Sequence, residues 1–120
     1  MKKLLILSVL LMSGCATVNN LLPKHHDPAE AAKLMDVKAK IETLTCGATK
    51  DLPRWQSTVD DLRWLNLYTE FRQDPQAKTV EELYIATQKA REGSIAYCEA
   101  TLKLQKTRIE VIESAWKGRS

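Results

Sequence analysis

Ile95, Cys98, Leu102, Gln105, Ile109, Ile112 and Trp116 follow one another at alternating spacings of three and four. That alternation lays all seven on one side of an α-helix as a heptad seam, with Gln105 its only polar member. A helix with so long an apolar side must bury it against other helices, which excludes most folds built on sheets. Leu83, Ala86 and Ala90, just upstream, lie on a different phase. Gly93 stands where the phases meet, so a bend or a break is expected there. Gln105 is either a register-setting polar core residue or the point where the seam meets solvent. The second reading is preferred.

The preceding chain carries two more helical patterns. Asp27-Pro28 offers an N-cap and a first-turn proline, with Glu30 in the first turn where the helix dipole favours it. Leu34, Val37, Ile41 and Leu44 then repeat as a narrow apolar stripe, and Cys46-Gly47 closes the segment. Pro53, with Asp51 or Leu52 as cap, opens a second helix reaching Phe71 or Gln73. Trp55, Val59 and Leu62 share one face of it, while Trp64, Leu67, Tyr68 and Phe71 share another. This helix is expected to be central, packed on two neighbours. The alternative is that its second face is an exposed patch awaiting a partner, since Trp and Tyr are common anchors of such surfaces. After the polar break Gln73-Asp74-Pro75-Gln76, Thr79-Val80-Glu81-Glu82 reads as a capping box opening a third helical region that extends to about Trp116. No β-branched alternation, internal repeat or low-complexity run appears, so the expected fold is all-α, a small three- or four-helix bundle with a long C-terminal helix.

Chemistry is hard to place on this chain. No nucleophile elbow, HExxH, P-loop or dinucleotide fingerprint occurs. The only histidines, His25 and His26, precede the first helix, and as adjacent residues they point apart; they read as solvated linker, not metal ligands. No cofactor or metal is expected, and the chain is not expected to be an enzyme.

The N-terminus is of another kind. Lys2 and Lys3 precede an apolar run, Leu4 to Leu11, too short for the roughly 20 residues that span a bilayer. Leu11-Met12-Ser13-Gly14-Cys15 closes it and resembles the lipobox of bacterial lipoproteins, with Met12 where that family usually has Leu. The resemblance covers only about the first 16 residues. It implies cleavage before Cys15, so that residues 1–14 form a signal peptide, and acylation of Cys15, which attaches the chain to a lipid bilayer. Ala16, where an aspartate would imply retention in the inner membrane, implies the outer membrane with the domain facing the periplasm. Residues 15–26 then form a lipidated flexible tether reaching at most about 40 Å, Leu21-Leu22 being free to touch lipid or cover the domain. Residues 27–120 form the helical domain.

Removal of the leader takes away Lys2 and Lys3, leaving 16 basic against 15 acidic residues, so no electrostatic case for nucleic acid survives. With Cys15 committed to lipid, the oxidising address implies a Cys46–Cys98 disulfide. The implied function is that of a non-enzymatic lipoprotein that binds or anchors another envelope protein. The contact candidates are Trp64, Leu67, Tyr68 and Phe71 and the distal seam Ile109, Ile112 and Trp116. Other readings are a pilotin-like secretion accessory, to which Cys46, Asp51-Leu52-Pro53 and Cys98 are loosely similar; a phage spanin or exclusion lipoprotein, the spanin disfavoured by only four prolines; and a structural spacer self-associating through the heptad seam.

Overall fold

A computed structural model describes residues 25–119. The expected lipidation site Cys15, the leader and all of the tether before His25 lie outside the described residues. Four helices follow in order: α1 (Pro28–Thr43), α2 (Leu52–Phe71), α3 (Ala77–Glu92) and α4 (Ile95–Lys117). Each packs on its sequence neighbours, and α1 also packs on α4, closing an antiparallel ring in which α2 and α4 sit diagonally opposite. Among the described residues there is no strand, and no helix is long and apolar enough to cross a membrane.

The caps explain the helix boundaries. Asp27 Oδ1 accepts from the Ala29 and Glu30 amides, opening α1 at Pro28 as expected. Helix α1 stops at Thr43, earlier than Cys46, because Leu44 adopts an extended conformation. The chain then makes a 3-10 turn, Gly47–Thr49, in which the Thr45 hydroxyl donates to the Thr49 carbonyl at 2.6 Å. Gly47 has φ +75°, and an added Cβ would meet Ile95 Cδ1 at 3.1 Å, so glycine suits this turn twice over. Asp51 caps α2, accepting from the Arg54 amide.

One expectation about α3 needs correction. The capping box at Thr79 does not form, for α3 begins two residues earlier at Ala77. Gln76 stands at the N-cap without a side-chain cap bond, and Asp74 shapes the turn before it: its side chain accepts from the Gln76 amide at 2.8 Å and its carbonyl from the Ala77 amide at 2.9 Å. The end of α2 supplies the matching geometry. The Asp74 amide donates to the Thr69 carbonyl and the Gln73 amide to that of Glu70, a Schellman motif with Gln73 at φ 53°. At Gly93 the third helical region breaks, the second of the two outcomes expected there, and the chain reverses, with Ser94 Oγ capping α4 at the Tyr97 amide. The reversal requires glycine for space: a Cβ there would lie 2.6 Å from Tyr97 Cδ1.

The core follows the predicted stripes, except that Ile95, the first residue of the expected seam, is exposed. Leu34, Val37, Ile41 and Leu44 of the first segment meet Trp55, Leu62 and Leu65 of α2, Val80, Leu83 and Ala90 of α3, and the α4 seam from Cys98 to Trp116. Gln105 corrects the preferred expectation, being fully buried. Its Nε2 donates to the Leu83 carbonyl at 2.6 Å and to Thr87 Oγ1 at 2.8 Å, while Oε1 accepts from Arg108 at 2.7 Å. A satisfied amide inside the seam fixes the register of α4 on α3, because a shift along the helix would strand it without partners. Cys46 and Cys98 form the disulfide, with Cα atoms 6.1 Å apart, joining the end of the first segment to the start of α4 across 52 residues.

Candidate docking surface

Helix α2 buries Trp55, Thr58, Val59, Leu62, Leu65 and Thr69 and turns the opposite side to solvent. On that outer side stand Trp64, Leu67 and Phe71, at 40%, 57% and 85% exposure. The i, i+3, i+7 spacing makes one continuous stripe over the last two turns. Helix α2 is therefore central, packed on α1 and α3, and it also carries an exposed apolar face. The expectation that the second face packs on a neighbour is corrected: α2 meets both neighbours through the side that carries Trp55, Val59 and Leu62, and Trp64, Leu67 and Phe71 are left exposed.

The face is held in place from beneath. Trp64 and Tyr68 stack with ring centroids 4.7 Å apart and planes 11° from parallel. Lys33 Nζ, from α1, lies 5.3 Å over the Trp64 ring. The Tyr68 hydroxyl donates to Asp27 Oδ2 at 2.6 Å, and Arg72 donates to the same oxygen at 2.8 Å. Asp27 thus caps α1 with one oxygen and fixes the aromatic face with the other. The hydroxyl bond from Tyr68 holds the Asp27 carboxyl below its ordinary range and pushes the phenol above its own. Aromatic side chains fixed before binding have little rotamer entropy left to lose.

Beneath this face lies a cluster that local sequence patterns did not flag. Glu30 and Asp74 are buried, and Arg119, just past α4, is nearly so. Arg119 donates to Glu30 Oε1 at 2.9 Å and makes a two-pronged contact with Asp74 at 2.7 and 2.8 Å. Arg72 reaches Glu30 Oε1 at 3.1 Å, and the Trp116 indole N–H points at Asp74 from 3.4 Å. Three carboxyl groups, counting Asp27, meet two guanidinium groups. Burial, followed by the neighbouring Asp74 carboxylate, pushes Glu30 up to about 7. Burial also works to raise Asp74, but the Arg119 bond and the Gln76 amide outweigh it and hold Asp74 below its ordinary value. Glu30 Oε2 has no hydrogen-bond partner among the described residues. A proton on the Glu30 carboxyl leaves two carboxylates against two guanidinium groups, balancing the charges of the cluster.

The second group of expected contact residues is elsewhere. Ile109, Ile112 and Trp116 are core side chains at 1%, 0% and 4% exposure. A partner cannot reach them in the closed bundle, and the seam cannot at the same time serve self-association. They face inward because the heptad phase that marks a seam is also the phase on which α1 and α3 close. A shallow groove of about 320 Å³ does open beside Trp116, between α1 and α4, lined by His26, Leu34, Met35 and Lys117. Glu113 also lines it and pairs with Lys117 at 3.1 Å. Among the described residues no group of three or more His, Cys, Asp or Glu side chains is arranged to hold a metal ion. No protein-family model, curated protein or solved structure matches the chain.

Proposed function

We propose that this chain is an outer-membrane lipoprotein, attached through an acylated Cys15, whose helical body faces the periplasm and docks another envelope protein through the outer face of α2. It acts by holding a partner at the membrane surface, without catalysis. The observation that carries the docking role is the exposure of Phe71, Leu67 and Trp64 on a helix whose other side already supplies the core. These three form an exposed apolar stripe with a stacked aromatic pair at one end, and apolar surface gathered in one place is where interaction sites are found. The membrane address is supported by the lipobox-like Leu11-Met12-Ser13-Gly14-Cys15, by an apolar run too short to span, and by a disulfide of the kind favoured outside the cytoplasm.

The test is a pair of substitutions, Trp64→Ala with Phe71→Ala, in cells carrying a photo-crosslinking residue at Leu67. The expected result is loss of the crosslinked partner band while the purified variant keeps its helical content and melts within a few degrees of the parent. An unchanged band, or a variant that no longer folds, contradicts the reading of α2 as a docking face.

A further inference from the structure

Helix α4 has a second line of interest, on the side away from the core. Tyr97, Ala100, Leu104, Thr107, Val111 and Ser114 are all exposed, and their spacings again alternate strictly between three and four. No charged residue stands on this line for five turns. The outer side of α3, by contrast, carries Lys78, Glu81, Glu82, Lys89 and Glu92 around one apolar residue, Ile85. A solvated helix face ordinarily looks like that of α3, and the outer line of α4 has instead the pattern of a seam.

The charges that flank the line indicate what would cover it. Lys103 and Glu110 border it on one side, both exposed, and neither makes an ion pair with another described residue. Arg108 borders it on the other. Two copies of α4 laid parallel would bring Lys103 against Arg108 of the second copy, a like-charge contact. Two copies laid antiparallel, with Leu104 against Thr107 and Ala100 against Val111 across the two-fold axis, bring Lys103 against Glu110 of the second copy. The symmetry makes that attraction twice. The small side chains at Ala100, Thr107 and Ser114 let the helices approach, and each faces a larger one, Val111, Leu104 or Tyr97.

We propose that the outer line of α4 is where two copies of this chain pair, antiparallel, α4 against α4. Because α2 and α4 are diagonal in the bundle, both α2 faces then point outward, and the pair is bivalent. A single helix pair of this length falls at the low end of specific interfaces, below about 1,200 Å². Pairing in dilute solution is therefore weak, and confinement to a membrane surface strengthens it by raising the effective concentration. The pairing does not depend on the docking role of α2.

The experiment is sedimentation velocity over a wide concentration range on the oxidised mature chain carrying Cys15→Ser, with circular dichroism as a folding control. The parent is expected to dimerise reversibly. Lys103→Glu and Glu110→Lys each turn two attractions into two repulsions and should raise the dissociation constant about tenfold. The double exchange restores the parent value. A parent that stays monomeric throughout overturns the proposal, as does a dimer indifferent to the single substitutions or not rescued by the double one. Tightening by Lys103→Glu alone would signify parallel pairing against Arg108 and likewise overturns it.

Discussion

The two ends of the bundle are closed by different chemistry. At one end the Cys46–Cys98 bond ties the first segment to α4 beside the fully buried Trp55, whose indole N–H donates to the Thr45 carbonyl at 3.0 Å. At the other, Glu30, Asp74, Arg72 and Arg119 tie α1, the α2–α3 turn and the chain after α4 through buried ion pairs. The covalent end responds to reductant and is indifferent to pH; the ionic end is the reverse. The proposed docking face of α2 belongs to the ionic end, through Asp27, Tyr68 and Arg72. The end where the chain arrives from the proposed membrane anchor is therefore the one whose firmness depends on protonation.

Breaking the covalent end should have the largest effect. Replacing Cys46 and Cys98 together by alanine frees a loop of about 50 residues, worth roughly 4 kcal/mol in urea unfolding on the chain-entropy account. The loss should be nearly constant between pH 5 and 8. Breaking the ionic end by Asp74→Ala leaves Arg119 with Glu30 alone, strips the Trp116 indole of its acceptor and removes the side-chain bond to the Gln76 amide in the turn before α3. It should cost about 3 kcal/mol in the same measurement.

The pH dependence separates the two ends more sharply. Glu30 titrates near 7 in the folded protein and near 4.5 when unfolded. Between those values the folded state holds the extra proton, so stability falls as pH rises. About 2 kcal/mol should be lost from pH 5 to 7.5, with no further loss above. Glu30→Gln, which keeps a neutral donor in place, should flatten that slope; a slope unchanged in the variant would remove Glu30 as its origin. Asp74 acts oppositely and only in acid: its lowered value contributes stability above about pH 4 that disappears as pH falls further. The smallest effect concerns the turn between α2 and α3. Gln73→Gly relieves a left-handed residue and should raise stability by about 0.5 kcal/mol, seen as a small upward shift in melting temperature.

The same contrast bears on how much could be read without coordinates. The covalent end was legible, because the apolar stripes of α1 and α4 are each followed or joined by a cysteine and an expected oxidising address pairs them. The ionic end was not. Arg119 meets Glu30 across 89 residues and Asp74 across 45, and no local pattern links charges so far apart. Glu30 looked like an ordinary first-turn acid and Asp74 like part of a polar break. Gln105 was ambiguous for a related reason: its partners, the Leu83 carbonyl and Thr87, belong to another helix. On α2 the shift of apolar residues around the axis marked a second face correctly. Its exposure was decided by where α1 and α3 pack, which periodicity does not encode.

The central claim, a helical docking body held at a membrane by one acylated cysteine, is tested most directly by intact mass of the protein recovered from the membrane fraction. The account predicts a chain beginning at Cys15, heavier than its polypeptide by the mass of its acyl groups, carrying the oxidised Cys46–Cys98 pair, and leaving the membrane when Cys15 is replaced by serine. A chain that begins at Met1 with no acyl mass would contradict it.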